Sequence, residues 1–192
     1  MAASARILAL GDSLTAGFGL AANAAFPVRL EKALQAEGRD VTLINGGVSG
    51  DTTAGGLARL DWALAAKPQM VILELGANDA LRGLNPKVTH ANLDAILKRL
   101  TTDGIGVLLA GMLAPPNMGR TFQDEFKAVY DQLATRYDVV FYPFFLDGVA
   151  GDARLVQSDG LHPTAAGVDV LVSHILPAVR TLLDRHAKGG GR

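Results

Sequence analysis

The sequence predicts an α/β protein built on a five-stranded parallel sheet, flavodoxin-like, with strand order 2-1-3-4-5. Three observations predict it. Short apolar runs alternate with amphipathic stretches of helical length along the chain. The runs are apolar without alternation, as in Val71-Ile72-Leu73, which suits strands covered on both faces. Two long irregular stretches, 76–87 and 111–120, directly follow such runs, where open α/β sheets place their ligand loops. Right-handed crossovers between parallel strands then fix the handedness.

The first strand is 6–10, where Ile7-Leu8-Ala9-Leu10 runs into a tight Gly11-Asp12-Ser13-Leu14 turn. A helix at 26–37 leads to strand 41–45, and a helix at 53–65 leads to strand 70–75. Helix 89–101 carries Leu93, Ile96, Leu97 and Leu100 at three and four spacing and precedes strand 106–110. Helix 121–136 repeats the pattern with Phe122, Phe126, Val129, Tyr130 and Leu133, ahead of strand 139–142. Another irregular stretch, 142–162, leads to a last helix at 164–185, with Val168, Leu171, Val172, Ile175 and Val179 on one face and Pro177 as a kink site. Pro163 is placed to start that helix. The whole chain, 1–192, reads as one domain with frayed ends at 1–5 and 187–192.

Composition narrows the function. Hydrophobic residues make up 49% of the 192 and charged residues 19%, the balance of a folded domain. The net charge of −1 and the lack of a basic stripe argue against a nucleic-acid partner. The absence of cysteine excludes disulfides and thiolate chemistry, and there is no H-E-x-x-H or calcium-loop pattern to hold a metal. No apolar stretch is read as a membrane span or leader. The compartment stays open: periplasmic or secreted if a leader was removed, otherwise cytoplasmic.

The candidate chemistry lies at the strand ends. Ser13 would sit at the carboxyl end of the first strand; its other reading is a helix cap. Neither the Lys-Ser/Thr of a phosphate loop nor the G-x-S-x-G elbow is present. His162 lies in a loop between Gly160 and Pro163, unlike His90, His174 and His186, which fall in helical patterns. Asp159, three residues earlier, can place a carboxylate beside the His162 Nδ1, and reads otherwise as a turn residue. Asp147 and Asp152 are further acids upstream, less well placed. A serine, an imidazole and an acid are the set that nucleophilic acyl transfer needs. Asn78, after the third strand, offers a side-chain amide to a developing oxyanion, and Gly50, after the second, offers a close backbone N–H; both also read as ordinary loop residues.

These residues resemble the GDSL, or SGNH, hydrolase family: Gly11-Asp12-Ser13-Leu14, Gly50, Gly76-Ala77-Asn78-Asp79 and Asp159-Gly160-Leu161-His162 occur in the family's order. Ser49-Gly50-Asp51-Thr52, Gly56-Leu57-Ala58-Arg59-Leu60 and Glu74-Leu75-Gly76 resemble its small bacterial thioesterase, arylesterase and lysophospholipase branch, with Ala77 in place of a glycine often seen there. The resemblance implies a three-layer α/β/α hydrolase without cofactor. Ser13 would be the nucleophile, His162 the base and Asp159 its orienter. The oxyanion donors would be the Ser13 and Gly50 backbone N–H groups and the Asn78 side chain, with Asp12 bracing the turn. The expected reaction is hydrolysis of short- to medium-chain carboxylic esters, thioesters or lysophospholipids through an acyl-enzyme.

Leu81, Met112, Leu113, Pro115 and Phe144 are expected to line the acyl groove, drawn from a wider set of loop residues that includes Phe18, Leu20, Leu84, Pro116, Met118 and Phe145. The partner is a small-molecule ester. Two alternatives remain at this point: a carbohydrate acetylesterase, although Trp62 is the only tryptophan, and a non-enzymatic flavodoxin-like binding domain.

Overall fold

In a computed structural model, which describes residues 4–189, the strands are β1 (Ala5–Gly11), β2 (Val41–Gly47), β3 (Met70–Glu74), β4 (Gly106–Ala110) and β5 (Val140–Tyr142). All pair in parallel, in the order β2-β1-β3-β4-β5 that the alternation of apolar runs and amphipathic stretches predicts. The register aligns Gly11 with both Gly47 and Glu74, so the carboxyl ends of β2, β1 and β3 share one rim.

The helices are α1 (Ser13–Ala16), α2 (Phe26–Ala36), α3 (Thr53–Ala58), α4 (Leu60–Leu64), α5 (Ala77–Leu81), α6 (Pro86–Thr102), α7 (Arg120–Arg136) and α8 (Ala165–Gly189). Helices α2 and α8 pack together, α2 against β2 and α8 against β4 and β5; α6 joins α3 and α7 and packs on β4. The periodic positions explain the layering. Phe26, Leu30 and Leu34 of α2 and Val168, Leu171, Ile175 and Val179 of α8 are buried, as are Leu93, Ile96, Leu97 and Leu100 of α6 and Phe126, Val129, Tyr130 and Leu133 of α7. Strand β3, covered on both sides, is buried throughout.

Several boundaries differ from the sequence reading. The single helix expected at 53–65 is two, because Arg59 leaves helical geometry at φ −102°, ψ 8° after a Gly55-Gly56 pair of low helix propensity. Helix α6 starts at Pro86, three residues early, with Asn85 accepting from the Lys87 N–H as its cap. Pro163 does not open α8: it bridges Val156, and Thr164 caps the helix by accepting from the Gly167 N–H. Helix α8 continues through Pro177. Of the ends expected to fray, 1–3 and 190–192 lie outside the described residues, Ala5 opens β1, and α8 extends to Gly189.

One expectation needs correcting. Ala165–Lys188 is long enough to cross a bilayer and contains an 18-residue window apolar enough to do so, with a mean hydropathy of 1.4. Its apolar residues are concentrated on one face that lies in the core, which accounts for that hydropathy within a folded domain.

Helix α1 lies directly on β2, and Gly47 makes the approach possible. A Cβ at Gly47 would run into the Ala16 backbone and come within 2.8 Å of the Asp12 carbonyl. Gly47→Ala is expected to cost about 1–3 kcal/mol of stability by overpacking, measured by urea denaturation. Wild-type stability would show that α1 and β2 are not so closely fitted.

Candidate active site

The turn after β1 presents Ser13. Asp12 caps α1, its Oδ1 accepting from the Leu14 N–H at 2.9 Å, and Gly17 ends the short helix at φ +84°. Gly11 is confined: a Cβ there would meet the Thr15 side chain and, at 2.6 Å, the Glu74 Oε2. Ser13 is therefore held on a turn with little room for movement.

The second arm comes from the 156–163 loop, closed by the Val156–Pro163 bridge and by the Gln157 N–H donating to the His162 carbonyl at 2.7 Å. Asp159 Oδ1 accepts from the backbone N–H groups of Leu161 and His162, and its Oδ2 lies 2.7 Å from His162 Nδ1. His162 Nε2 lies 2.8 Å from Ser13 Oγ. With the Asp159 carboxylate accepting from Nδ1–H, the imidazole tautomer leaves Nε2 free to accept the serine proton. The His162 and Leu161 backbone N–H groups, in that order, and then the His162 side chain hold the Asp159 carboxyl down to about 2, so it stays ionised across the neutral range. Phe18 packs its ring on His162 with centroids 4.6 Å apart.

Gln157, which the sequence reading did not single out, ties the two arms together. Its Nε2 donates to the carbonyls of Phe18, at 2.8 Å, and Pro163, at 2.9 Å. The other histidine–acid contact, His174 Nδ1 to Asp147 at 3.0 Å, anchors the 142–151 segment to α8, and Asp152 pairs with Arg154.

The three expected oxyanion donors meet at the same place, with one difference. The backbone N–H groups of Ser13 and Gly50 have no protein partner among the described residues, and Gly50 adopts φ +85°, which favours glycine. The Asn78 amide does have partners: Nδ2 donates to Asp12 Oδ2 at 3.1 Å and to the Asp51 carbonyl at 2.8 Å. Both neighbours are acceptors, which fixes the amide orientation. An oxyanion must share one of these hydrogens or displace an acceptor, and the longer Asp12 contact is the easier to displace. Gly76, at φ +122° and with no room for a Cβ beside the Tyr130 hydroxyl, sets up the turn that carries Asn78.

Beneath Ser13 lies a pair of buried carboxyls. Glu74 is fully buried; its Oε2 accepts from Thr15 Oγ1 at 2.8 Å, while Oε1 has no partner among the described residues. Burial, with Asp12 adding to it, raises the Glu74 carboxyl well above the usual range. Burial likewise pushes Asp12 up to about 6, against the opposing pull of the Leu14 N–H, the His162 charge and the Asn78 amide.

A groove of about 870 Å³ runs from Ser13 and His162 toward α7. Leu81, Met112, Leu113, Pro115 and Phe144 all line it, as do Phe18 and Pro116. Leu20, Leu84 and Met118 do not, and Phe145 belongs to the core, edge-on to Phe26. Leu14, Leu146 and Val156 were missed as wall residues, and Gln123, Asp124 and Lys127 of α7 give the far end a polar rim.

The model of the GDSL-like lipase/acylhydrolase family matches residues 9–170. The chain is 40% identical to the esterase TesA of Pseudomonas aeruginosa over 183 residues, 95% of this chain and 91% of that protein. It is 43% identical to an arylesterase of Vibrio mimicus over 162 residues, 84% of this chain and 81% of that one. Its fold superposes on the crystal structure of AlinE4, an SGNH-hydrolase family esterase, with a TM-score of 0.80 and 48% identity, covering 95% of this chain and 98% of that one.

The buried carboxyls carry a pH signature. Asp12 holds its proton more tightly in the folded chain, at about 6 against an ordinary 3.8, so folding takes up a proton between those values. Its contribution to stability is therefore greatest below pH about 4 and declines as pH rises through about 6. Urea midpoints across that window should fall with pH in the wild type and less steeply in Asp12→Asn, where the buried Glu74 carboxyl, also raised by burial, still contributes. Parallel curves for the two proteins would show that Asp12 is not the titrating group.

Proposed function

This chain belongs to the GDSL-like lipase/acylhydrolase family, and from that premise we propose how its own residues carry out the hydrolysis. It is a carboxylic ester hydrolase of the serine type. The reading of the site rests on one observation: the unbroken Asp159–His162–Ser13 chain, with contacts of 2.7 and 2.8 Å, opening into an apolar groove.

Ser13 Oγ attacks the acyl carbon as His162 Nε2 takes its proton, and the ionised Asp159 carboxylate stabilises the imidazolium that forms. The tetrahedral oxyanion is met by the unpartnered N–H groups of Ser13 and Gly50 and by the Asn78 amide. His162 then protonates the leaving alcohol. Water attacks the resulting acyl-enzyme with His162 again acting as base, and Ser13 leaves as the alcohol when the second tetrahedral intermediate collapses. The substrates are carboxylic esters with short- to medium-length acyl chains, and the apolar groove from Leu81 to Phe144 supports an acyl chain as its occupant. Thioesters and lysophospholipids present the same acyl carbon and fall within the same chemistry. No observation favours a sugar ester: Trp62 is 74% exposed on α4, away from the groove lining.

Ser13→Ala should fold normally, lose turnover of a p-nitrophenyl ester by more than about 10³-fold, and no longer be labelled by a fluorophosphonate. A folded variant that kept near-full activity would overturn the assignment. For Asp159→Asn, kcat should fall by roughly 10³–10⁴-fold with KM little changed; unaltered turnover would remove Asp159 from the site. On p-nitrophenyl esters of increasing acyl length, kcat/KM should rise and then drop once the groove is full. A flat profile would mean that the groove does not hold the acyl chain.

A further inference from the structure

Arg59, at the junction of α3 and α4, takes no part in the chemistry above, yet its side chain is largely buried beside the site. Its Nε donates to Asp51 Oδ2 at 2.5 Å and its Nη2 to the Gly11 carbonyl at 2.9 Å. The side chains of Arg59 and Asp51 are only 16% and 17% exposed, and Arg59 Nη1 is buried without a partner among the described residues. Gly11 ends β1 two residues before Ser13, and Asp51 directly follows Gly50. A single planar guanidinium thus spans the strand that delivers one oxyanion donor and the loop that delivers another. Asn78, the third donor, grips the same residue from its other side through the Asp51 carbonyl.

A buried ion pair contributes little net stability, because desolvation offsets its attraction. An Arg–Asp pair with one nitrogen unpartnered is a weak stabiliser, and its position points to another role. We propose that Arg59 is a positioning residue of the oxyanion hole, fixing the gap between the Ser13 and Gly50 N–H groups by bridging Gly11 and Asp51. The inference rests on the reading of those two groups as oxyanion donors. Lysine cannot reproduce the bridge, since one ammonium on a flexible stem does not present the fixed fork that reaches both acceptors.

The test uses Arg59→Lys, Arg59→Met and the double variant Asp51→Asn/Arg59→Met, which leaves no carboxylate unpaired. Asn78→Ala probes the underlying reading. Each is assayed for kcat and KM on a p-nitrophenyl ester and for inhibition by an alkylboronic acid, a tetrahedral mimic whose oxygen occupies the oxyanion position. All three Arg59 variants should lose about 10–10²-fold in kcat, the scale of a misplacement near 1 Å, with KM within about twofold. Boronate affinity should fall by the same factor, and the pH profile of kcat/KM should keep its shape. A purely structural role would not link kcat to boronate affinity in this way.

Wild-type kcat in Arg59→Lys, or in the folded double variant, overturns the proposal, as does a loss of kcat without loss of boronate affinity. Should Arg59→Met fail to fold, Arg59→Lys and the double variant still decide. If Asn78→Ala leaves both readouts unchanged, the Asn78 amide is not a donor, and the proposal, which rests on the Ser13 and Gly50 N–H groups, is decided by the Arg59 variants. If Asn78→Ala loses both and Arg59→Lys loses neither, only the role of Arg59 falls.

Discussion

The 2.8 Å contact between His162 Nε2 and Ser13 Oγ joins residues 149 positions apart, and the proposed chemistry depends on it. Closing so long a loop costs entropy that a single hydrogen bond of about 1 kcal/mol cannot offset. The sheet absorbs that cost. Parallel pairing brings the carboxyl ends of β1, β2 and β3 to one rim, β5 delivers the chain to that same rim ahead of His162, and α8, held in the core by its apolar face, anchors the far end of the loop that carries it. Locally, Gln157 binds the Phe18 carbonyl on the serine side and the Pro163 carbonyl on the histidine side, while the Phe18 ring limits how the imidazole can tilt. Core packing determines that the two arms meet, and these small contacts determine at what angle.

The turn that bears Ser13 rests on an arrangement that breaks the usual rules of burial. Glu74 closes an otherwise apolar strand and is wholly buried, with Asp12 buried beside it. Two carboxylates so placed would repel each other and lose hydration, and burial accordingly favours their protonated forms. In return, Glu74 binds the Thr15 hydroxyl and faces the Asp12 N–H, while Asp12 caps α1 and reaches Asn78. Such local violations are expected where a fold supports chemistry.

The parallel sheet was legible because continuous apolar runs such as Val71-Ile72-Leu73 separated by amphipathic stretches admit few topologies, and the order 2-1-3-4-5 is one of the common doubly wound arrangements among them. Ser13, Asp159 and His162 were legible because short motifs at strand ends and before the last helix converge on one rim. The supporting residues were harder to read. Arg59 and Gln157 act on backbone carbonyls, which impose no sequence pattern; only the Asp51–Arg59 separation within a glycine-rich stretch was available as a hint. Glu74 left a clearer trace, a lone acid at the end of an apolar strand. The short helices α1 and α5 fell below the length at which periodicity registers. Asn78 shows a further limit: its residue type suggested a free amide donor, whereas its neighbours, Asp12 and the Asp51 carbonyl, already engage it.

The groove and the catalytic chain impose different kinds of selection. Its walls are mainly apolar, built from the segments that follow β4 and β5 and from α5. An apolar wall distinguishes acyl chains by buried area alone, about 0.8 kcal/mol for each methylene, or roughly fourfold. It has few polar groups with which to reject a leaving group of different chemistry, and selectivity of this kind stays modest. The proposed oxyanion donors, by contrast, are backbone and amide groups placed for the tetrahedral carbon and oxyanion that any acyl ester forms once it is attacked. On the proposed mechanism, stringency therefore resides at the reacting atom and tolerance along the acyl chain. That division follows from having fixed the site with hydrogen bonds and lined the approach to it with leucine, methionine, proline and phenylalanine.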